Sequence, residues 1–133
     1  MTGPRERRDR AVLMGVRGER ERGQAAIEYA GVLTLLLIVA LAALQLGVVA
    51  YTAQQAGTAA RAAARAAALP DADAGQAQEA GLASMSGWLR DGASVGVPGC
   101  GEQVTATVSV EVPALIPLFD FGTAERSVTM PCD

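Results

Sequence analysis

The sequence predicts an α+β protein: a long N-terminal transmembrane and extended helix, a short second helix, and a small antiparallel sheet closed by a disulfide. Three observations carry that expectation. Residues 30–50 form an apolar run without a single charge, residues 104–112 alternate apolar with polar side chains, and the two cysteines, Cys100 and Cys132, both fall in the C-terminal third.

Size and charge set the frame. A chain of 133 residues has room for one domain at most once a membrane segment is set aside. Half of the residues are apolar, but with two Phe, two Tyr and one Trp much of that count is alanine, which builds helices more readily than large cores. Residues 1–22 carry seven arginines against four acids, whereas residues 70–133 carry two arginines against nine acids. A basic tail raises nucleic-acid binding as a reading. Beside an apolar run it reads instead as a topology signal, and no nucleic-acid partner is expected. Lysine and histidine are absent, which removes histidine-based catalysis and most metal sites.

Taken in order, residues 1–22 are highly charged around a short Ala11-Val12-Leu13-Met14 interruption and read as a disordered leader. Their arginine excess next to an apolar segment keeps them in the cytoplasm and sends the C-terminus outside. From Gln24 the pattern becomes an unbroken helix former. Ala30 to Ala50 supplies the roughly 20 residues needed to span about 30 Å of hydrocarbon. Tyr29 and Tyr51 bracket it, about 33 Å apart along a helix, as two aromatic-belt positions. A cleaved secretory signal competes with a retained span, and the length of the apolar run favours the span.

The helix is expected to continue past the membrane. Thr52 to Leu69 holds no proline, places Arg61 and Arg65 on one face, and aligns Ala53, Ala56, Ala60, Ala64 and Ala67 in a small-residue stripe. Pro70 ends it, giving a helix over residues 24–69 on the order of 70 Å long. Residues 70–133 then form a small extracytoplasmic α+β domain. Asp73, with Gln76 three residues on, caps a second helix in which Leu82, Met85, Trp88 and Leu89 recur at core spacing up to Arg90-Asp91-Gly92. Val104, Ala106, Val108, Val110 and Val112 mark a half-buried strand, Val95 and Val97 a shorter one, and Glu125–Met130 an antiparallel return. Pro113 and Pro117 bound an apolar turn, Ala114-Leu115-Ile116, that leads to Leu118-Phe119-Asp120-Phe121. Pairing of the strands brings Cys100 near Cys132. Outside the cytoplasm a disulfide is the economical reading, with two buried thiols as the alternative.

No catalytic arrangement is visible: no histidine, no Ser or Cys beside a base, no phosphate-binding glycine loop. The acids Asp71, Asp73 and Glu79 do not have calcium-loop spacing. No cofactor, metal site or enzyme activity is therefore expected. Gly23 and, five residues later, Glu28 at the basic-to-apolar boundary are the chemical feature, because an ionisable group at the edge of a span is a functional hypothesis by default. Within the span, Ala43 and Gly47 form a small-x-x-x-small pair that lets helices approach, and Gln45 can hydrogen-bond across helices.

The run Gly23-Gln24-Ala25-Ala26-Ile27-Glu28-Tyr29, with Ala30-Gly31-Val32-Leu33 behind it and the alanine–arginine stretch 58–68 beyond, resembles the tight-adherence (Tad/Flp) branch of type IV pilin-like proteins, and in particular TadE-like minor pseudopilins. The resemblance implies that a membrane prepilin peptidase cuts the leader, residues 1–23, after Gly23. Gln24 then becomes the new N-terminus, a position where type IV pilins prefer Phe. The mature Glu28, followed by Tyr29, serves assembly with other pilin or pseudopilin subunits and the Tad secretion machinery. A glycine at the cut lets the protease approach the backbone. A carboxylate paired with a neighbour's new α-amino group removes two desolvation penalties together. The alternative from the residues alone is a single-pass anchor in the bilayer whose small exterior domain binds something unrelated to pili.

Overall fold

The computed structural model describes residues 4–133, so the first three residues of the leader lie outside it. Helix α1 runs Pro4–Ala67, α2 Ala74–Ala83 and α3 Gly87–Arg90, followed by strands β1 (Ala93–Gly96), β2 (Gln103–Glu111) and β3 (Thr123–Pro131). The chain divides into two compact units, Met1–Ala42 and Ala43–Asp133.

The first unit is helix from Pro4 onward, which corrects the expectation of a disordered leader. Proline suits the first helical position. Arg and Glu are good helix formers, and propagation from an existing helix avoids the unfavourable nucleation step that an isolated segment faces.

In the second unit α1 ends at Ala67, two residues before the predicted Leu69, because Pro70 biases the residue before it away from helix. The chain turns through Asp71, whose φ of 57° is a left-handed conformation that Asp tolerates. Asp73 caps α2 as the sequence predicts, accepting from Gly75 N at 3.2 Å. The single second helix expected up to Arg90 is two. Ser84 Oγ donates to Gly81 O at 2.7 Å, and the Arg90 guanidinium donates to Met85 O and Ala83 O, covering carbonyls exposed by the break. On the other side of the break, Gln55 Oε1 accepts from Ser86 N at 3.0 Å. The break resets the helical phase. Met85 and Leu89 still enter the core, but Trp88, expected there, is 58% exposed and stacks on Tyr51.

The sheet is an antiparallel meander in the order β1-β2-β3. Alternation along β2 sorts its faces. Val104, Ala106, Val108 and Val110 are buried, while Thr105, Thr107 and Ser109 look outward at Thr129, Ser127 and Glu125 of β3, with side-chain hydrogen bonds of 2.7, 2.9 and 3.1 Å. What covers the buried face is α1. Ala56, Ala59, Ala60, Ala63, Ala64 and Ala67 are buried against Val104, Ala106, Val108, Val110, Met85 and Leu89. Alanine loses no rotamer freedom on burial and lets the sheet come close to the helix axis. The small-residue stripe is thus the floor of the sheet domain, and residues 70–133 do not close a core by themselves. The Cys100–Cys132 disulfide, with Cα atoms 6.2 Å apart, fastens the open end of the sheet. Beside it Cys132 N donates to Glu102 O and Asp133 N to Ala68 O, which ties the C-terminus to the end of α1.

Candidate functional site

Gly23, Gln24, Glu28 and Tyr29 all lie in α1, in the first unit, and all are exposed. An added Cβ at Gly23 meets nothing within 4 Å, so this glycine is not demanded by packing. Gln24 and Glu28, four residues apart, share a helix face. Both are exposed, so a carboxylate stands uncovered one turn from Gln24. From Ile27 to Leu46 the large apolar side chains other than the half-buried Leu41 stand uncovered, with Leu35 61% and Leu46 70% exposed. An apolar surface that continuous is a membrane or partner surface rather than a water-facing one.

The second unit takes up Gln45 differently. Gln45 is 6% exposed. Its Nε2 donates to Pro113 O at 3.0 Å and its Oε1 accepts from Leu115 N at 2.9 Å. Both polar ends of the amide are therefore engaged by the β2–β3 connection of the same chain rather than held out to another helix. Two positions away on either side, about 200° round the helix, Ala43 is exposed and an added Cβ at Gly47 meets nothing within 4 Å. The small-residue pair thus lies open on the side opposite the loop. Tyr51 completes this level: its hydroxyl pairs with Ser86 Oγ at 2.5 Å and its ring stacks on Trp88, centroids 5.8 Å apart and nearly parallel. Thr52, fully buried, turns its hydroxyl back to Val48 O at 2.8 Å.

The docking of residues 113–115 on Gln45 escaped sequence reasoning, although a signal existed. A lone amide in an apolar run requires a partner, and a proline-bounded apolar turn that fits no strand is a segment in need of a place. The Tyr51–Trp88 stack had no comparable signal.

These features define a class: one apolar helix, the one among the described residues long enough to cross a membrane, whose C-terminal turns floor a small disulfide-closed domain. Residues 23–65 match the family model described as TadE-like protein, so over this segment the chain is similar to that family. No curated protein and no solved structure matches it.

Proposed function

We propose that the chain is a minor, pilin-like (pseudopilin) subunit for assembly of a tight-adherence pilus, made as a precursor and cut after Gly23 by a prepilin peptidase. The observation that carries this reading is where the family match begins. It opens on residue 23, at the glycine before the proposed cut, and leaves the basic leader outside.

Two physical features support it. The helix around Gly23 is exposed, and an added Cβ there meets nothing within 4 Å, so a peptidase that needs extended backbone has local helix to open. Glycine makes that easier, by roughly 1 kcal/mol against alanine in a helix interior. Once cut, the chain starts with the α-amino group of Gln24, and Glu28 of a neighbouring subunit pairs with it at the edge of the bilayer, where neither charge is well solvated alone. The open Ala43–Gly47 face accepts the neighbour's helix. The arginine-rich leader orients the protein as a single-pass subunit of the cell membrane, with the sheet domain outside the cytoplasm and carried into a surface pilus. The role is structural: the chain is the substrate of an enzyme, and its partners are the peptidase, other pilin subunits, the Tad secretion machinery and the bilayer.

Intact-mass measurement of the protein extracted from membranes tests this. The expected species runs from Gln24 to Asp133, and Gly23→Val blocks its formation. A chain that retains its leader in cells with an active prepilin peptidase, or a Gly23→Val variant processed as before, overturns the reading and leaves an anchored exterior domain.

A further inference from the structure

The connection between β2 and β3 is apolar and largely uncovered: Leu118 is 88% exposed, Phe119 59% and Leu115 46%. Its one charge, Asp120, accepts from Gly122 N at 2.8 Å, so the carboxylate is turned into its own turn. The root of this connection is held by Gln45, which lies inside the charge-free run. Gln45 is six residues before Tyr51, about 9 Å along the helix toward the apolar side. On the same turn Leu44 and Leu46 are 62% and 70% exposed. Irregular backbone is therefore seated at a level where the helix surface is leucine.

Backbone outside helices and closed sheets is tolerated at membrane depth only where protein satisfies its polar groups. That is what the Gln45 amide does, covering one carbonyl and one N–H, while Pro113 and Pro117 bring no N–H to be covered. The Tyr51–Trp88 stack lies at the aromatic-belt end of the span, and Trp88, Phe119 and Phe121 line one groove of ≈ 410 Å³.

We propose that residues 113–121 are a membrane-dipping anchor. Leu115, Leu118, Phe119 and Phe121 enter the leaflet on the side of the sheet domain, next to their own helix, and hold that domain down on the lipid surface. The proposal rests on α1 being a membrane span. The occupant is lipid rather than a second copy, because the root of the loop, residues 113–115, is held on Gln45, whose neighbours Leu44 and Leu46 are exposed. Those side chains require the same apolar surroundings, and the Gln45 hydrogen bonds set that depth within a single chain.

Depth-dependent fluorescence quenching on the full chain tests it. In a Trp88→Phe background, Phe119→Trp and, separately, Leu35→Trp supply a single reporter in phosphatidylcholine vesicles whose acyl chains carry bromine. Both are expected to lose most of their emission, Phe119→Trp more with bromine near the headgroup and Leu35→Trp more with bromine toward the bilayer centre. Quenching of Leu35→Trp without quenching of Phe119→Trp overturns the anchor and leaves the span standing. Quenching of neither overturns the span and the anchor together. A blue-shifted but unquenched Phe119→Trp means protein covers the loop, most simply a second copy, and also overturns the proposal. Leu118→Trp repeats the measurement at the most exposed position of the loop, where a larger ring displaces no packing.

Discussion

Replacing Gln45 by methionine keeps an unbranched side chain of similar length and removes both hydrogen bonds to the β2–β3 connection. The bonds are 3.0 and 2.9 Å long, and the side chain that makes them is 6% exposed, so Pro113 O and Leu115 N lose partners in apolar surroundings. A buried backbone group left unpaired costs about 1–3 kcal/mol. Two such groups amount to about 2–6 kcal/mol, and a loop that can swing outward to recruit water keeps the expected loss in the lower part, about 2–4 kcal/mol. At 1.4 kcal/mol per tenfold, opening of the loop becomes about 30- to 1,000-fold more frequent. Hydrogen–deuterium exchange of the full chain in lipid vesicles reads this directly. Peptides covering residues 112–122 accelerate in Gln45→Met, while those covering β2 keep their protection. Unchanged exchange in the loop refutes the idea that Gln45 fastens it; equal acceleration in β2 means that the amide supports the whole domain and not the loop.

Four further outcomes are expected. Cys100→Ser with Cys132→Ser opens a loop with a sequence separation of 32 and lowers the stability of the sheet domain by about 3.7 kcal/mol in the chain-entropy model, measured as a lower urea midpoint. Gly81→Val destabilises by about 1–3 kcal/mol, because even a Cβ there comes within 3.1 Å of Ala63 Cβ and 3.2 Å of Ala59 O. Gly57→Ala, where the nearest atom is Arg126 Cγ at 4.0 Å, raises the melting temperature through a helix-propensity gain of about 1 kcal/mol. If the chain is the pilin-like subunit proposed above, Glu28→Gln leaves cutting after Gly23 intact and removes most of its crosslinking to neighbouring subunits; assembly that persists unchanged assigns Glu28 no part in it.

Much of this arrangement was legible in the residues, and what was not has physical causes. The charge-free run, the β2 alternation and the Asp73 cap each follow from a local rule that needs only neighbours in sequence, and the disulfide follows from there being two cysteines at the ends of strands that pair. The identity of the surface beneath the sheet is a long-range fact. Ala56, Ala60 and Ala64 read equally well as a seam for another subunit's helix, and only the fold shows β2 lying on them. The end of α2 was misread because Leu82, Met85 and Leu89 keep core spacing through Ser84 and Ser86, while the break depends on Gln55 and Tyr51, some thirty residues upstream. Trp88 followed that phase error outward. The leader's helix was hidden by composition: high charge argues against a packed core, but not against a helix extended from one already formed. Gly23 and Glu28 stand out in the sequence by their place at the basic-to-apolar boundary, whereas Gln45's partner does not, since residues 68 and 70 positions away leave no periodic trace.

A sheet built directly on α1 leaves no joint within Ala43–Asp133. Where a flexible tether would let the sheet domain tumble, the alanine floor gears it to the helix turns beneath it. Turning the helix by one residue's rotation, about 100°, swings the threonine and serine face of the sheet through the same angle. Within Ala43–Asp133, the side of the helix left open by the sheet and the outer face of the sheet therefore keep one fixed angle to each other.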